Sequence, residues 1–458
     1  MSMRVHFIAV GGSVMHNLAI ALKSKGYQVS GSDDDFFEPS KSRLAAHGLL
    51  PEKEGWNPEI ITRKLDAVIL GMHARSDNPE LQEAIRQGIK VYSFPEYLYE
   101  QCRNKTRVVI AGSHGKTTIT SMVMHALRYN NRKFDYMVGA QLEGFDTMVG
   151  LSEDAEIAVF EGDEYLSSPI DKRSKFLWYK PHIALISGIA WDHINVFPTF
   201  DIYKDQFKHF ADSVDRNGYL TWFSGDRHLK KMLDGKNRSF TIEPYFEAES
   251  RYAGDITLVV HKGREYPVPF FGAHNMQNLS GAMNVCRWLG LDEDSFLRSM
   301  GSFKGASRRL EAVAGDENSA VFYDFAHAPS KLKATVEAVK SRYPSRKLVA
   351  CMELHTFSSL DKNFLPQYHN TMMLADEPLV FLNPGVIEHK GLAPISPADV
   401  AKAFSIPEHS VIVTKEALLE RLDKIEFRNA NLLIMTSGSL GGIDIKAWIK
   451  KKMDKPKQ

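Results

Sequence analysis

The stretch RVVIAGSHGKTT, Arg107–Thr118, constrains this chain more than any other. A short apolar, β-branched run ends in two glycines, Gly112 and Gly115, which bracket Ser113 and His114. Lys116, Thr117 and Thr118 then open a segment in which Met122/Ala126 and Val123/Leu127 recur at i,i+4, the stripe of a core-facing helix. A strand that turns through glycines straight into a helix aims unpaired backbone N–H groups at one point, where phosphate oxygens are bound. A lysine for the terminal phosphates and a hydroxyl for Mg2+ complete the requirement. The longer pattern GxxxxGK[ST] is not met, because its first glycine falls on Ile110; the loop is a shortened form. Ligands of this kind sit at the carboxyl edge of open parallel sheets, so the fold class expected is α/β.

The rest of the 458-residue chain alternates in the same way, and two to four domains are expected for that length. Three units emerge. Residues 1–105 carry strands at Val5–Val10, Gln28–Asp33, Asp66–Gly71 and Lys90–Ser93. Residues 106–312 carry strands at Arg107–Gly112, Ile157–Glu161 and Ile183–Ser187. Residues 313–458 carry strands near Val321–Asp324, Leu348–Met352, Leu379–Leu382 and Leu432–Met435. Short β-rich runs separated by helical segments imply parallel sheets with crossovers. The formal net charge of +1, from 57 basic and 56 acidic residues, gives no reason to expect a nucleic-acid or membrane partner. The scattered Cys102, Cys286 and Cys351 suit reduced thiols. The first apolar run reads as a strand, and no apolar stretch reaches ~18 residues. A soluble, cytoplasmic protein is expected, monomer or homodimer.

Other strand ends carry chemistry. EGDE, Glu161–Glu164, closes an apolar strand with carboxylates, hard oxygen ligands of the kind Mg2+ prefers. Asp192 and His193 follow another strand. In the first unit VGGSVM, Val10–Met15, makes a glycine turn and Asp33 ends the next strand, but no third glycine completes GxGxxG. That turn fits a nucleotide diphosphate on a helix N-terminus without saying which one. SGSLGGI, Ser437–Ile443, reads as a further turn of the phosphate-loop type. Two other classes compete at this level. A nicotinamide dehydrogenase explains the first unit but leaves Gly-Lys-Thr unemployed. A regulatory nucleotide switch explains the second unit but not the third.

The ordered set HFIAVGG…VSGSD, GSHGKTT, EGDE, DH, GAHNMQNLSGA (Gly272–Ala282), SRRLE and DFAHAP (Asp324–Pro329) resembles the Mur ligases over nearly the whole chain. That family forms amide bonds with ATP in peptidoglycan synthesis. The resemblance implies a Rossmann-like N-terminal domain, a central P-loop domain with a mostly parallel sheet, and a Rossmann-like C-terminal domain. It implies activation of the lactoyl carboxylate of UDP-N-acetylmuramate as an acyl phosphate, with ATP and Mg2+. It assigns Gly112, Ser113, His114, Gly115, Lys116, Thr117, Thr118, Asn275, Asn278, Arg309, Asp324 and His327 to ATP. Lys116, His193 and Arg309 are the catalytic set, and Thr117, Glu161 and His193 the metal ligands. Gly11, Gly12, Ser13, Met15, Asp33 and His73 face the UDP substrate. His355, Thr356 and Ser358 lie where the family places the amino substrate. Asp163–Pro181, with DEY and DKRSKF, is similar to the branch that reattaches a recycled murein tripeptide; the L-alanine-adding branch is the alternative. Arg173, within that block, is the candidate for the tripeptide's carboxylates. ATP is expected between the second and third domains.

Overall fold

The computed structural model describes residues 2–235, 238–254, 256–305 and 309–453. The chain divides into two compact units. One comprises Met1–Ile189, Asp201–Phe246 and Leu279–Phe303; the other comprises Ala190–Phe200, Glu247–Asn278 and Lys304–Gln458.

The first unit holds two sheets. Its amino-terminal sheet has four parallel strands in the spatial order Gln28–Ser32, Arg4–Ile8, Ala67–Leu70, Val91–Ser93. The first strand stops at Ile8, two residues short of the expected Val10. Ala9 takes a left-handed φ of 66°, and the N–H groups of Ala9 and Val10 both donate to the Ser32 carbonyl. Gly31 makes this possible, since a Cβ there would lie 2.7 Å from that of Val10. The second sheet has seven strands, with Thr106–Ala111 at its centre between Ile183–Ile186 and Ile157–Glu161. Both neighbours run parallel to it. All five residues of Ile157–Glu161 are buried, as befits a parallel strand covered on both faces.

The second unit holds a three-stranded antiparallel sheet, Ser250–Ala253, Ile256–His261 and Arg264–Val268. It also holds a six-stranded sheet in the order Glu311–Gly315, Ala320–Asp324, Ala430–Met435, Lys347–Leu354, Glu377–Leu382, Val411–Ile412. Only the first pairing of that sheet is antiparallel; its two faces are buried under separate apolar clusters. No helix among the described residues is long and apolar enough to cross a membrane.

Candidate active site

In the first unit the glycine loop joins the central strand to the helix Lys116–Tyr129. Gly112 has φ +133°, and a Cβ on it would come within 2.1 Å of Ser187 Oγ. The Ser113 N–H donates to the Gly188 carbonyl at 3.0 Å, and Ser187 Oγ donates to the His114 carbonyl, so the loop is tied to the end of the adjacent strand. Gly115, in the left-handed region at φ +77°, is the N-cap and offers no side chain to the first turn. The helix therefore turns its first N–H groups and the positive end of its dipole toward the loop's concavity.

Side chains complete the cradle. Lys116 Nζ donates to the Gly112 carbonyl and to Glu164 Oε2, each at 2.7 Å. Burial works against the Lys116 charge, but Glu164, Asp163 and Glu161 outweigh it, and its pKa lies above the ordinary lysine value. Thr117 Oγ1 donates to Glu161 Oε1 at 3.0 Å, and Glu161 Oε2 accepts the Gly139 N–H at 2.7 Å. A hydroxyl and a carboxylate side by side beside a buried ammonium are the donors that a magnesium-bound terminal phosphate uses. The residues fit that group. Among the described residues no cluster of three His, Cys, Asp or Glu could hold a metal ion. His193, the third expected metal ligand, belongs to the other unit.

The amino-terminal glycine turn is also open at a helix start. Gly12 caps the helix Ser13–Ser24 without a side-chain bond. Ser13 is exposed, and so is His73, just past the strand Ala67–Leu70. Met15 is buried and packs within 3.4 Å of where a Gly12 Cβ would stand, so its side chain supports the turn from below. Asp33 likewise serves the turn: its Oδ2 accepts the Gly11 N–H at 2.7 Å and its Oδ1 accepts the Asp34 N–H. Burial, with Asp34 beside it, pushes its carboxyl up to about 6.

In the second unit the structure gathers Asp192 with His327 and Ser358, which the sequence had assigned to ATP and to the amino substrate. Asp192 Oδ1 accepts from the His193 N–H at 2.8 Å and from Ser358 Oγ at 3.4 Å. Its Oδ2 lies 3.8 Å from both His327 Nε2 and Lys331 Nζ. Burial pushes the Asp192 carboxyl up, but His327 and Lys331 prevail and hold it well below the usual range. Burial and Lys331 keep the His327 imidazole below its ordinary value. Lys331 was missed in the sequence; its signal was a lysine in the first turn of Pro329–Arg342, beside the Asp324–Pro329 motif. Asp324 accepts the N–H groups of Leu310 and Ala326 on its two oxygens, and burial pushes it up to about 6. Arg309 stacks 5.0 Å over Phe325; its motif neighbours Ser307 and Arg308 lie outside the described residues. Asn275 and Asn278, three apart on one face of Ala273–Trp288, are both buried.

Two expectations look different in the structure. Arg173 is held bidentate by Asp171, at 2.9 and 3.0 Å, and stacks 4.0 Å from Trp178, while Lys175 pairs with Asp163 at 2.7 Å. Two cations of the basic block, Arg173 and Lys175, are thus paired within their own segment. The Ser437–Ile443 turn is not an anion seat. Its concavity is filled by the buried Glu353 carboxylate, which accepts from Thr436 Oγ1 and from the Leu440 N–H. A negative charge there repels phosphate. His355 lies against the same turn, its Nδ1 2.7 Å from the Cβ position of Gly438 and without a partner among the described residues. Thr356 Oγ1 accepts the Ser359 N–H and shapes the turn that carries Ser358.

Residues 4–106 match the description "Mur ligase family, catalytic domain" and residues 110–286 match "Mur ligase middle domain". A UDP-N-acetylmuramate–L-alanyl-γ-D-glutamyl-meso-2,6-diaminoheptandioate ligase of Escherichia coli strain K12 is 27% identical over 455 residues, covering 96% of each chain. A UDP-N-acetylmuramate–L-alanine ligase of Carboxydothermus hydrogenoformans is 32% identical over 368 residues, covering 77% of this chain and 76% of its own. Among solved structures, a murein peptide ligase of Psychrobacter arcticus superposes with a TM-score of 0.67 at 22% identity, over 98% of this chain and 99% of the other.

Proposed function

The chain belongs to the Mur ligase family, ATP-dependent enzymes that form amide bonds, and on that premise we propose that it joins the lactoyl carboxylate of UDP-N-acetylmuramate to the L-alanine amine of a murein tripeptide, releasing ADP and phosphate. One observation carries the choice of tripeptide: the relative named for that substrate matches 96% of both chains. The L-alanine ligases are the second reading, favoured by a higher identity, 32%, over a shorter span.

ATP supplies the phosphoryl group that makes the carboxylate reactive toward an amine. The chain's part is positioning and charge neutralisation. Lys116 and the N–H groups at the helix start, residues 115–118, suit the terminal phosphates, with Gly112, Ser113 and His114 shaping the loop. Thr117 and Glu161 would hold Mg2+, and His193 a second ion. In the second unit Asn275 and Asn278 offer amide edges suited to adenine, Arg309 a cation for phosphate, and His327 a polar group for ribose. Asp324 would act through the backbone of residues 310 and 326. Gly11, Gly12, Ser13 and His73 suit the UDP group, with Met15 and Asp33 shaping the turn beneath it. His355, Thr356 and Ser358 are the amino-substrate candidates. We read the domains as 1–105, 106–312 and 313–458.

The test offers purified protein UDP-N-acetylmuramate, ATP and Mg2+ with either tripeptide or L-alanine, and follows ADP release. Turnover with tripeptide at a much higher kcat/KM supports the proposal. Preference for L-alanine returns the second reading, and release with neither amine removes both.

A further inference from the structure

Beyond the loop itself, Lys116 is held by a buried relay. Glu164 Oε2 receives the ammonium at 2.7 Å, and Glu164 Oε1 receives the Tyr203 hydroxyl at 2.8 Å. Tyr203 OH is in turn 2.8 Å from Ser113 Oγ, the second residue of the loop. The circuit runs from Lys116 through Glu164 and Tyr203 back to the loop. Tyr203 is fully buried, and Glu164 and Ser113 are 1% and 5% exposed. A carboxylate pinned on one oxygen by a tyrosine cannot rotate away from its lysine. With the Gly112 carbonyl it fixes two of the three ammonium donors, so the direction of the third is set before any phosphate arrives.

We propose that Glu164 and Tyr203 are positioning residues for nucleotide, orienting Lys116 toward the terminal phosphates through a relay anchored on Ser113. This rests on the nucleotide reading of the loop given above. Tyr203 lies 87 residues from Lys116 in sequence, on the helix Phe200–Asp212, in no phosphate-binding motif. The relay differs from a packing contact in one respect. Packing loss lowers stability alone, whereas relay loss lowers affinity for the phosphates.

The test is calorimetric titration of the full chain with a non-hydrolysable ATP analogue and Mg2+, alongside melting of the nucleotide-free protein. Tyr203→Phe and Glu164→Gln are each expected to weaken binding about 3- to 10-fold, the equivalent of one hydrogen bond. Tyr203→Phe is expected to add nothing once Glu164 is Ala, because it acts through that residue. Tyr179→Phe, which removes a buried hydroxyl without a partner among the described residues, is the control and keeps wild-type affinity. If Tyr203→Phe does not fold, Ser113→Ala cuts the relay at its other end and is expected to weaken binding likewise. Wild-type affinity in the relay variants, with only a lowered Tm, overturns the proposal, as does full additivity with Glu164→Ala. A wild-type chain that binds no analogue sinks the nucleotide reading instead.

Discussion

Glu161 is the residue on which the metal reading turns. It shares a hydrogen bond with Thr117 and is anchored by the Gly139 N–H, so its place is fixed without an ion. Glu161→Gln keeps that shape and removes the charge a hard cation needs. Activity is expected to require at least tenfold more Mg2+ for half-saturation, on the order of one lost charge contact; an unchanged Mg2+ dependence in steady-state assays transfers the role to Asp163 or Glu164. Asp324 supports a different kind of forecast. Its folded pKa, about 6, lies above the 3.8 of the free side chain, so the folded state binds the proton more tightly. The stability linked to this group is present below pH 4 and is lost as the pH rises from 3.8 to about 6, on the order of 3 kcal/mol at most. Denaturant melts of Asp324→Asn from pH 4 to 7 should lack that component of the slope. Sequence reading singled out Lys116, Thr117 and Glu161 because each stands in a short motif at a helix start or a strand end. It missed Tyr203, the partner of Glu164, and Lys331, which faces Asp192, because neither stands in such a motif and only the folded chain brings them to those carboxylates.

Secondary structure was readable where the chain repeats a simple period and unclear where tertiary contacts decide. The parallel strands that the sequence named fell within a residue or two of their expected ends, most of them as continuous apolar runs, while Phe134–Met137, Tyr219–Phe223, Thr241–Tyr245 and Val411–Ile412 were not among those named. The antiparallel sheet of residues 250–268 went unnoticed, although Lys262 and Gly263, both at positive φ, make a two-residue hairpin turn between its last two strands. Glycine turns at strand ends look alike on paper, and what sorts them is the group each encloses. Gly112 is the element most exposed to substitution. Gly112→Ala places a methyl 2.1 Å from Ser187 Oγ in a left-handed backbone. A loss of about 3 kcal/mol or more in urea unfolding is expected. A loss under ~1 kcal/mol would mean that the loop relaxes at little cost.

For the molecule as a whole, the choice of amine is the open functional variable. The block Asp163–Pro181 pointed toward the tripeptide in sequence, yet two of its cations, Arg173 and Lys175, are engaged by Asp171 and Asp163. Arg173→Ala is expected to change the tripeptide KM by less than about twofold, since an exposed ion pair contributes little. A rise of tenfold or more in steady-state kinetics would show that Arg173 leaves Asp171 for the substrate.

Glu353 has a consequence for stoichiometry. Glycine turns follow strands at residues 9–12, 112–115 and 436–442; Asp33 braces the first through the Gly11 N–H, whereas the Glu353 carboxylate sits within the last, bonded to the Thr436 hydroxyl and the Leu440 N–H. A carboxylate in that position does for the turn what a bound anion does elsewhere, and it cannot be washed out or competed away. The turns at 9–12 and 112–115 are the candidate polyphosphate seats, and the proposed reaction, which takes ATP and a UDP-sugar, brings two polyphosphate tails. Titrated with Mg-ATP alone, the chain should saturate at one tight equivalent; UDP-N-acetylmuramate should then add one more without displacing the first. Glu353→Gln takes the permanent counter-charge out of the third turn, and weak binding of inorganic phosphate by that variant, absent from the parent, would reveal the seat that the chain keeps filled.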